Sequence, residues 1–213
     1  ALDVHTGKEV WVSKRETSSS WSSPVALING TKATIFTAGN IAAEGIDANT
    51  GQVLWKNESL GGEVATSALV ANNAFYFSNS GAFTGAFSPS DGKILFKNED
   101  TPAPDVASPI VVNDTFLLFS SGGSVVGISA KDGKELYEKE FDNGFYASPV
   151  VLDHKIVGVN LDGDLFRMSA SPTGLKIEAK YAIGKRVVAT PAFHRGNIII
   201  RTSDDELIYL ESK

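Results

Sequence analysis

One phrase recurs along this chain at a nearly fixed spacing, and that periodicity constrains the fold more than any local pattern does. Five segments align: ALDVHTGKEVW from Ala1 to Trp11, GIDANTGQVLW from Gly45 to Trp55, AFSPSDGKILF from Ala86 to Phe96, GISAKDGKELY from Gly127 to Tyr137, and RMSASPTGLKI from Arg167 to Ile177. Their third positions are Asp3, Asp47, Ser88, Ser129 and Ser169, and a sixth, truncated copy ending IYLESK places Glu211 there. A second landmark keeps the same beat: Ser23-Pro24, Ser67-Ala68, Ser108-Pro109, Ser148-Pro149 and Thr190-Pro191 each begin a short apolar run.

Within one period the pattern predicts four short strands. In the third copy these are SPIVVN, TFLLFSS, SVVGISA and KELYEKEF, β-branched or aromatic runs separated by ND, GG and KDG, which are turn sequences. No segment carries a sustained helical stripe with caps. Four antiparallel strands in about 40 residues is the size of one β-propeller blade, a sheet that buries both faces only when neighbours stack on it. The predicted fold is therefore all-β, a propeller of four-stranded antiparallel blades with about five blades' worth of repeats. We read residues 1–213 as a single domain with repeats near 1–44, 45–85, 86–126, 127–166 and 167–213.

Gly7, Gly51, Gly92, Gly133 and Gly174 each close the repeated phrase's turn, where a tight reversal between third and fourth strands requires positive φ. The phrase ends on Trp11, Trp55, Phe96, Tyr137 and Ile177, always large and apolar. Such a side chain can cover the seam between adjacent sheets. The drift from Trp to Ile predicts inter-blade contacts that weaken toward the carboxyl end.

These residues resemble the tryptophan-docking repeat of the quinoprotein-like family, whose pattern is A-x-D-x-x-x-G-x-x-x-W. Ala1, Asp3, Gly7 and Trp11 match it fully, and Gly45, Asp47, Gly51 and Trp55 match apart from glycine for alanine. The third and fourth copies keep Gly92 with Phe96 and Gly133 with Tyr137; the fifth keeps Gly174 after an extra turn residue. The same repeat is shared by pyrroloquinoline-quinone-dependent alcohol dehydrogenases, by the propeller lipoprotein of the outer-membrane barrel-assembly machinery, and by secreted propellers, so the resemblance specifies fold more narrowly than activity.

The resemblance implies that each Ser-Pro run starts an innermost strand and that the docking motif joins the third strand to the outermost fourth. On that assignment residues 8–14 are a lone fourth strand, four complete blades follow, and three strands run from about Val187 to Glu211. A closed five-bladed ring by strand exchange and a fragment of a larger ring both satisfy this. The duplication of Ala1-Leu2-Asp3 by Tyr209-Leu210-Glu211 favours the larger ring. A chain that begins inside a motif reads as processed or cut.

Composition narrows the partners. The formal net charge is −6 and the basic residues are scattered singly, which argues against nucleic acid or an anionic membrane surface. No run reaches the length of a spanning helix. There is no cysteine, hence neither a disulfide framework nor a thiolate metal site.

A quinone-dependent dehydrogenase needs a flat cofactor site, a calcium ion on oxygen ligands and a carboxylate base. The family's vicinal cysteine pair has no counterpart here, and no calcium constellation can be assigned, so no catalytic or metal residue is predicted. Pyrroloquinoline quinone and calcium enter only under that alternative. Asp162 and Asp164 in LDGDLF, and Asp204, Asp205 and Glu206 in SDDELI, fall at turns before third strands and lack EF-hand spacing. His5, His154 and His194 share no motif, although the last two sit in hairpins after innermost strands. There is no Gly-x-Ser-x-Gly elbow. Asn29-Gly30-Thr31, Asn57-Glu58-Ser59 and Asn113-Asp114-Thr115 are sequons of the kind chance supplies.

One stretch departs from the pattern. In SSSWSSP, Trp21 stands two residues before the innermost strand, where Tyr146 stands in a later copy. If innermost strands surround an axial channel, both sit at one mouth of it, either plugging it and covering the core edge or open to stack on a partner segment or flat ligand. The small Ser23, Ser67, Ser108, Ser148 and Thr190 are expected from crowding where strands converge. The expectation for function is a non-catalytic propeller scaffold, periplasmic, secreted or envelope-associated by resemblance, that binds a protein or small ligand at one face.

Overall fold

A computed structural model of the chain describes residues 1–17 and 20–211. Ser18 and Ser19, in the stretch before Trp21, and Ser212 and Lys213, which end the truncated copy, lie outside the described residues. The chain is all-β and divides into two compact units, Ala1–Lys97 and Asn98–Lys213.

The first unit holds two four-stranded antiparallel sheets. One is β1 (Val25–Asn29), β2 (Lys32–Ala38), β3 (Ala43–Asp47) and β4 (Val53–Asn57), hydrogen-bonded in that order. The other is β5 (Leu69–Ala71), β6 (Ala74–Asn79), β7 (Phe83–Phe87) and β8 (Ile94–Lys97). The second unit holds β9 (Ile110–Val112), β10 (Thr115–Phe119), β11 (Ser124–Ser129) and β12 (Glu135–Glu140), then β13 (Val150–Leu152), β14 (Lys155–Val159), β15 (Asp164–Ser171) and β16 (Gly174–Ala182), and a three-stranded sheet β17 (Ala192–His194), β18 (Asn197–Arg201) and β19 (Leu207–Leu210). Four complete blades and a three-stranded remainder are the arrangement that the family resemblance implies.

Burial follows strand position. Every residue of β6, β7 and β10 is buried, whereas β4, β8 and β12 are mostly exposed. A sheet covered on both faces has no solvent side to alternate toward, so its middle strands are apolar or small throughout. In the first unit Phe36 on β2 lies 5.1 Å from the Phe75 ring and 5.5 Å from Phe87, with Trp55 at 6.1 Å. In the second, Phe145 meets Phe119 and Phe141 edge-on, each at 5.1 Å. Burial of each such ring stabilises the fold by about 2 to 3 kcal/mol.

In the β1–β2 turn only Gly30 is at positive φ (60°); the other four of the five inner hairpins are two-residue turns with both residues at positive φ: Asn72 and Asn73 (45° and 56°), Asn113 and Asp114 (46° and 59°), Asp153 and His154 (47° and 62°), Arg195 and Gly196 (50° and 81°). This is the type I′ geometry that matches strand twist, and it explains the asparagine and aspartate at these positions.

Two expectations are corrected. Residues 8–14 form no strand; a single bridge, Leu2 to Glu9, joins the ends of a short hairpin. The reason is that only Ala1 to Asp3 run beside this segment, so there is no ladder to extend: the bonds are Asp3 N–H to Lys8 O, Val10 N–H to Ala1 O, and the amino terminus to Trp11 O at 2.7 Å. Beyond it the chain is tied to the first sheet instead, Arg15 to the buried Glu44, Thr17 Oγ1 to Asn40 Oδ1 at 2.8 Å, and Ser20 Oγ to Ala38 O at 2.9 Å.

Ile177 is not the fifth docking residue. In the other sheets Gly45 faces Trp55, Ala86 faces Phe96 and Gly127 faces Tyr137, each followed by a β-bulge. In β15 the equivalent Arg167 faces Ala179, and Ile177 faces Met168 beyond the bulge. The β15–β16 turn closes tightly with Ser171 paired to Gly174, which lengthens both strands and moves the register.

Candidate functional site

The repeated phrase builds a turn first. The carbonyl of Asp3, Asp47, Ser88 or Ser129 accepts the N–H of Gly7, Gly51, Gly92 or Gly133 at 2.8 to 3.0 Å, and those glycines hold φ between 68° and 74°. Asp3 Oδ1 also accepts from His5 N, Thr6 N and Thr6 Oγ1, and Asp47 Oδ1 from Asn49 N, Thr50 N and Thr50 Oγ1. In the next two copies hydroxyl and carboxylate exchange places, giving Ser88 with Asp91 and Ser129 with Asp132. All four carboxyls are held below their ordinary value: Asp3 by the Thr6 hydroxyl, Asp47 by the Thr50 N–H, Asp132 by the Ser129 hydroxyl, and Asp91 down to about 2 by the Ser88 hydroxyl and then Lys93.

The turn then receives an aromatic side chain from the preceding segment. Trp11 covers Gly51, where an added Cβ would stand 2.4 Å from the ring, and its Nε1–H donates to Ala48 O at 3.0 Å. Trp55 covers Gly92 in the same way, with Nε1–H donating to Pro89 O at 2.8 Å. Its other side presses on Gly45 of its own sheet, where a Cβ would lie 2.1 Å away. That contact accounts for glycine in place of the family's alanine at position 45.

Phe96 is buried, with its ring 6.0 Å from that of Tyr76. Tyr137 packs on Gly127, but an added Cβ at Gly174 would meet nothing within 4 Å, so that glycine carries no ring. The Tyr137 hydroxyl is buried without a hydrogen bond of good geometry, and burial pushes the phenol up to about 12, opposed only weakly by the neighbouring Thr115 hydroxyl.

A second clamp escaped the sequence reading. Asn57 Nδ2 donates to Gly92 O and Asn98 Nδ2 to Gly133 O, both at 2.7 Å. The signal was present: Trp55-Lys56-Asn57 and Phe96-Lys97-Asn98 repeat one period apart.

The small residues at the innermost strands are corrected from a purely steric role. In the first unit Ser67 Oγ accepts the Ser23 N–H at 2.9 Å. In the second, Ser148 Oγ accepts the Ser108 N–H at 2.9 Å and Thr190 Oγ1 accepts the Ser148 N–H at 3.0 Å. Each hydroxyl caps the equivalent backbone amide of the preceding blade.

Trp21 lies in the first unit, 64% exposed, its N–H bonded to Val64 O at 2.9 Å. Tyr146 lies in the second, 37% exposed between the buried Phe145 and Ala147. The first unit also contains a groove of about 650 Å³, lined by the apolar Leu27, Leu54, Pro89 and Leu95 and by polar residues that include Asn29 and Lys32. Leu54 and Leu95 are half exposed, one residue before the docking aromatic in consecutive copies, a recurrence the sequence reading did not use.

The acidic turns are occupied locally. Asp162 accepts from Asn143 Nδ2 at 2.8 Å, Asp164 pairs with Lys180 at 2.8 Å, Glu206 with Lys185 at 2.5 Å and Asp205 with Arg201 at 2.6 Å. Among the described residues no group of three or more His, Cys, Asp or Glu side chains converges as a metal site. His5, His154 and His194 are exposed. Asn57 and Asn113 spend their side chains on backbone carbonyls, Gly92 and Ala170 respectively.

Comparison with known proteins gives these features a family. Residues 1–151 match the family model described as outer membrane protein assembly factor BamB. The chain belongs to that family. No curated protein matches it. Among solved structures it is similar to BamB from Moraxella catarrhalis, at 16% identity and a TM-score of 0.68, over 99% of this chain and 66% of that one. It is also similar to the computationally designed Ika8 protein, at 14% identity and 0.66, over 87% and 57%, and to the WD40 β-propeller domain of Doa1, at 15% identity and 0.64, over 88% and 63%. The chain thus spans less than two thirds of the length of each. These likenesses show a propeller fold. The carboxylates of the acidic turns that could offer oxygens to calcium are engaged with local cations and amides.

Proposed function

We propose that this protein is a non-catalytic binding scaffold of the bacterial envelope, periplasmic or otherwise outside the cytoplasm, that holds a protein partner or ligand during envelope assembly. The observation that carries the reading is the match of residues 1–151 to a family described by its role in outer membrane protein assembly. The geometry supports it in a second way: the recurrent Gly and aromatic residues of the motif are spent on turns and blade joints rather than on a reacting centre.

The groove lined by Leu54 and Leu95 is the proposed seat, since it joins apolar to polar lining residues at a volume typical of binding sites. Trp21 and Tyr146 are further exposed aromatic positions proposed to stack on a partner.

The test is capture of purified envelope proteins on the immobilised chain, comparing it with Leu95→Glu and Trp21→Ala variants whose far-ultraviolet spectra are unchanged. A defined protein retained by the parent and released by Leu95→Glu places recognition in the groove. Equal retention by all three, or saturable dye-linked alcohol oxidation on adding pyrroloquinoline quinone and calcium, overturns the proposal.

A further inference from the structure

The chain contains two Asn-Gly steps, Asn29-Gly30 and Asn143-Gly144, and the fold treats them in opposite ways. Asn29 ends β1 at the tip of the β1–β2 hairpin, exposed, with Asn29 paired to Lys32 across a two-residue turn. Among the described residues its carboxamide makes no hydrogen bond, and neither does the Gly30 N–H. Gly30 holds φ at 60°, and an added Cβ there would meet nothing within 4 Å, so the turn is open at this residue.

Asn143 is tied at both ends of its amide. Its Nδ2 donates to Asp162 Oδ1 at 2.8 Å and its Oδ1 accepts the Gly144 N–H at 2.8 Å. Gly144 is buried, its carbonyl accepts the Leu161 N–H at 2.8 Å, and an added Cβ would lie 1.7 Å from Ser121 O. The peptide unit that would have to move is therefore held by hydrogen bonds at the Asn143 amide and the Gly144 carbonyl and by close packing on Ser121.

We infer that Asn29 is a site of spontaneous deamidation in the native protein and that Asn143 is protected from it. The step needs only water and base. The Gly30 nitrogen gives its proton to hydroxide and attacks Asn29 Cγ; the new C–N bond closes a succinimide while the Cγ–Nδ2 bond breaks and ammonia leaves. Water then opens the ring at either carbonyl, leaving aspartate or isoaspartate with one new negative charge. Thermolabile asparagine behaves in this way wherever the backbone is free to close the ring.

The outcome matters locally because Asn29 and Lys32 both line the groove. Deamidation replaces a neutral lining amide with a carboxylate beside the lysine. The isoaspartyl product also inserts a methylene into a backbone whose Asn29 to Lys32 register the hairpin fixes, which loosens the tip.

The experiment is peptide mapping by mass spectrometry of the full chain after incubation at mildly alkaline and mildly acidic pH, native and in urea. The expected result is an amide-to-acid mass change at Asn29, resolved into two isomeric peptides, faster in alkali, and slowed severalfold in a Gly30→Ala variant. Asn143 stays intact in the native protein and reacts only in urea. Native Asn143 reacting as fast as Asn29, or Asn29 staying intact under native alkaline conditions while it reacts in urea, overturns the inference.

Discussion

The indole of Trp55 lies so close to Gly92 that a Cβ on that glycine would stand 2.3 Å from the ring, and the same indole donates to Pro89 O at 2.8 Å. Gly92 is thus required twice, once for its φ of 68° and once for the ring above it. Gly7 has nearly the same φ, 69°, with no atom within 4 Å of an added Cβ.

Gly92→Ala and Gly7→Ala therefore separate the two requirements. Gly7→Ala costs only the left-handed backbone, about 1 kcal/mol. Gly92→Ala adds overpacking against Trp55 and is expected to cost about 2 to 4 kcal/mol in all. Urea denaturation of both variants checks this, and equal losses would remove the indole contact from the account.

Ser148→Ala deletes the hydroxyl that accepts the Ser108 N–H at 2.9 Å. A loss of about 1 to 2 kcal/mol is expected. Ser148→Thr should retain most of the stability, as Thr190 fills the same role one blade later. If crowding alone selected small residues, alanine would be the better tolerated of the two.

Tyr137→Phe removes a buried hydroxyl that has no hydrogen bond of good geometry, and is expected to leave stability unchanged or raise it by up to about 1 kcal/mol. In the parent this phenol titrates near 12, above its ordinary 10.0. Since the unfolded chain loses that proton first, the folded state is progressively destabilised as pH rises from 10.0 toward 12. Ultraviolet titration should show a late-ionising tyrosine that is absent from Tyr137→Phe.

The docking turns carry an acid sensitivity of the opposite sign. Asp91 is lowered to about 2 from 3.8, so its stabilising contribution is complete above 3.8 and is lost as pH falls through the folded value. Asp91→Asn should therefore flatten the acid limb of the stability profile in that window while leaving the alkaline limb untouched. Thermal melts across the acid range measure it.

Much of this was legible in the sequence because the motif is local. Asp3, Thr6 and Gly7 fold their own turn, and Trp11 follows at a fixed distance, so recurrence of these types at one period reports both the blade and its joint. The second clamp at Asn57 and Asn98 was legible in principle but hidden, because an asparagine on an outer strand ordinarily faces water and only its reach to Gly92 and Gly133 makes it structural. The groove was harder. Leu54 and Leu95 look like strand hydrophobes until the sheets are stacked and both remain half exposed.

Two further features depended on strand register. The fifth copy places Ile177 where an aromatic is expected by counting, yet Ala179 faces Arg167 because a tight turn lengthened both strands. Counting residues cannot detect this, since the shift is set by which hydrogen bonds close the hairpin. Likewise the family resemblance implies a strand over residues 8–14, but strand formation requires a ladder partner beyond Ala1 to Asp3.

By itself the sequence determined the all-β class, the blade as repeating unit and the turn glycines, because each follows from residues within one period; the strand order came with the family resemblance. Tertiary structure alone decided which rings meet which glycines, which hydroxyls cap which amides, and which leucines stay in water. Those outcomes depend on distances between blades, and residues some 40 positions apart carry no mark of whether they will touch.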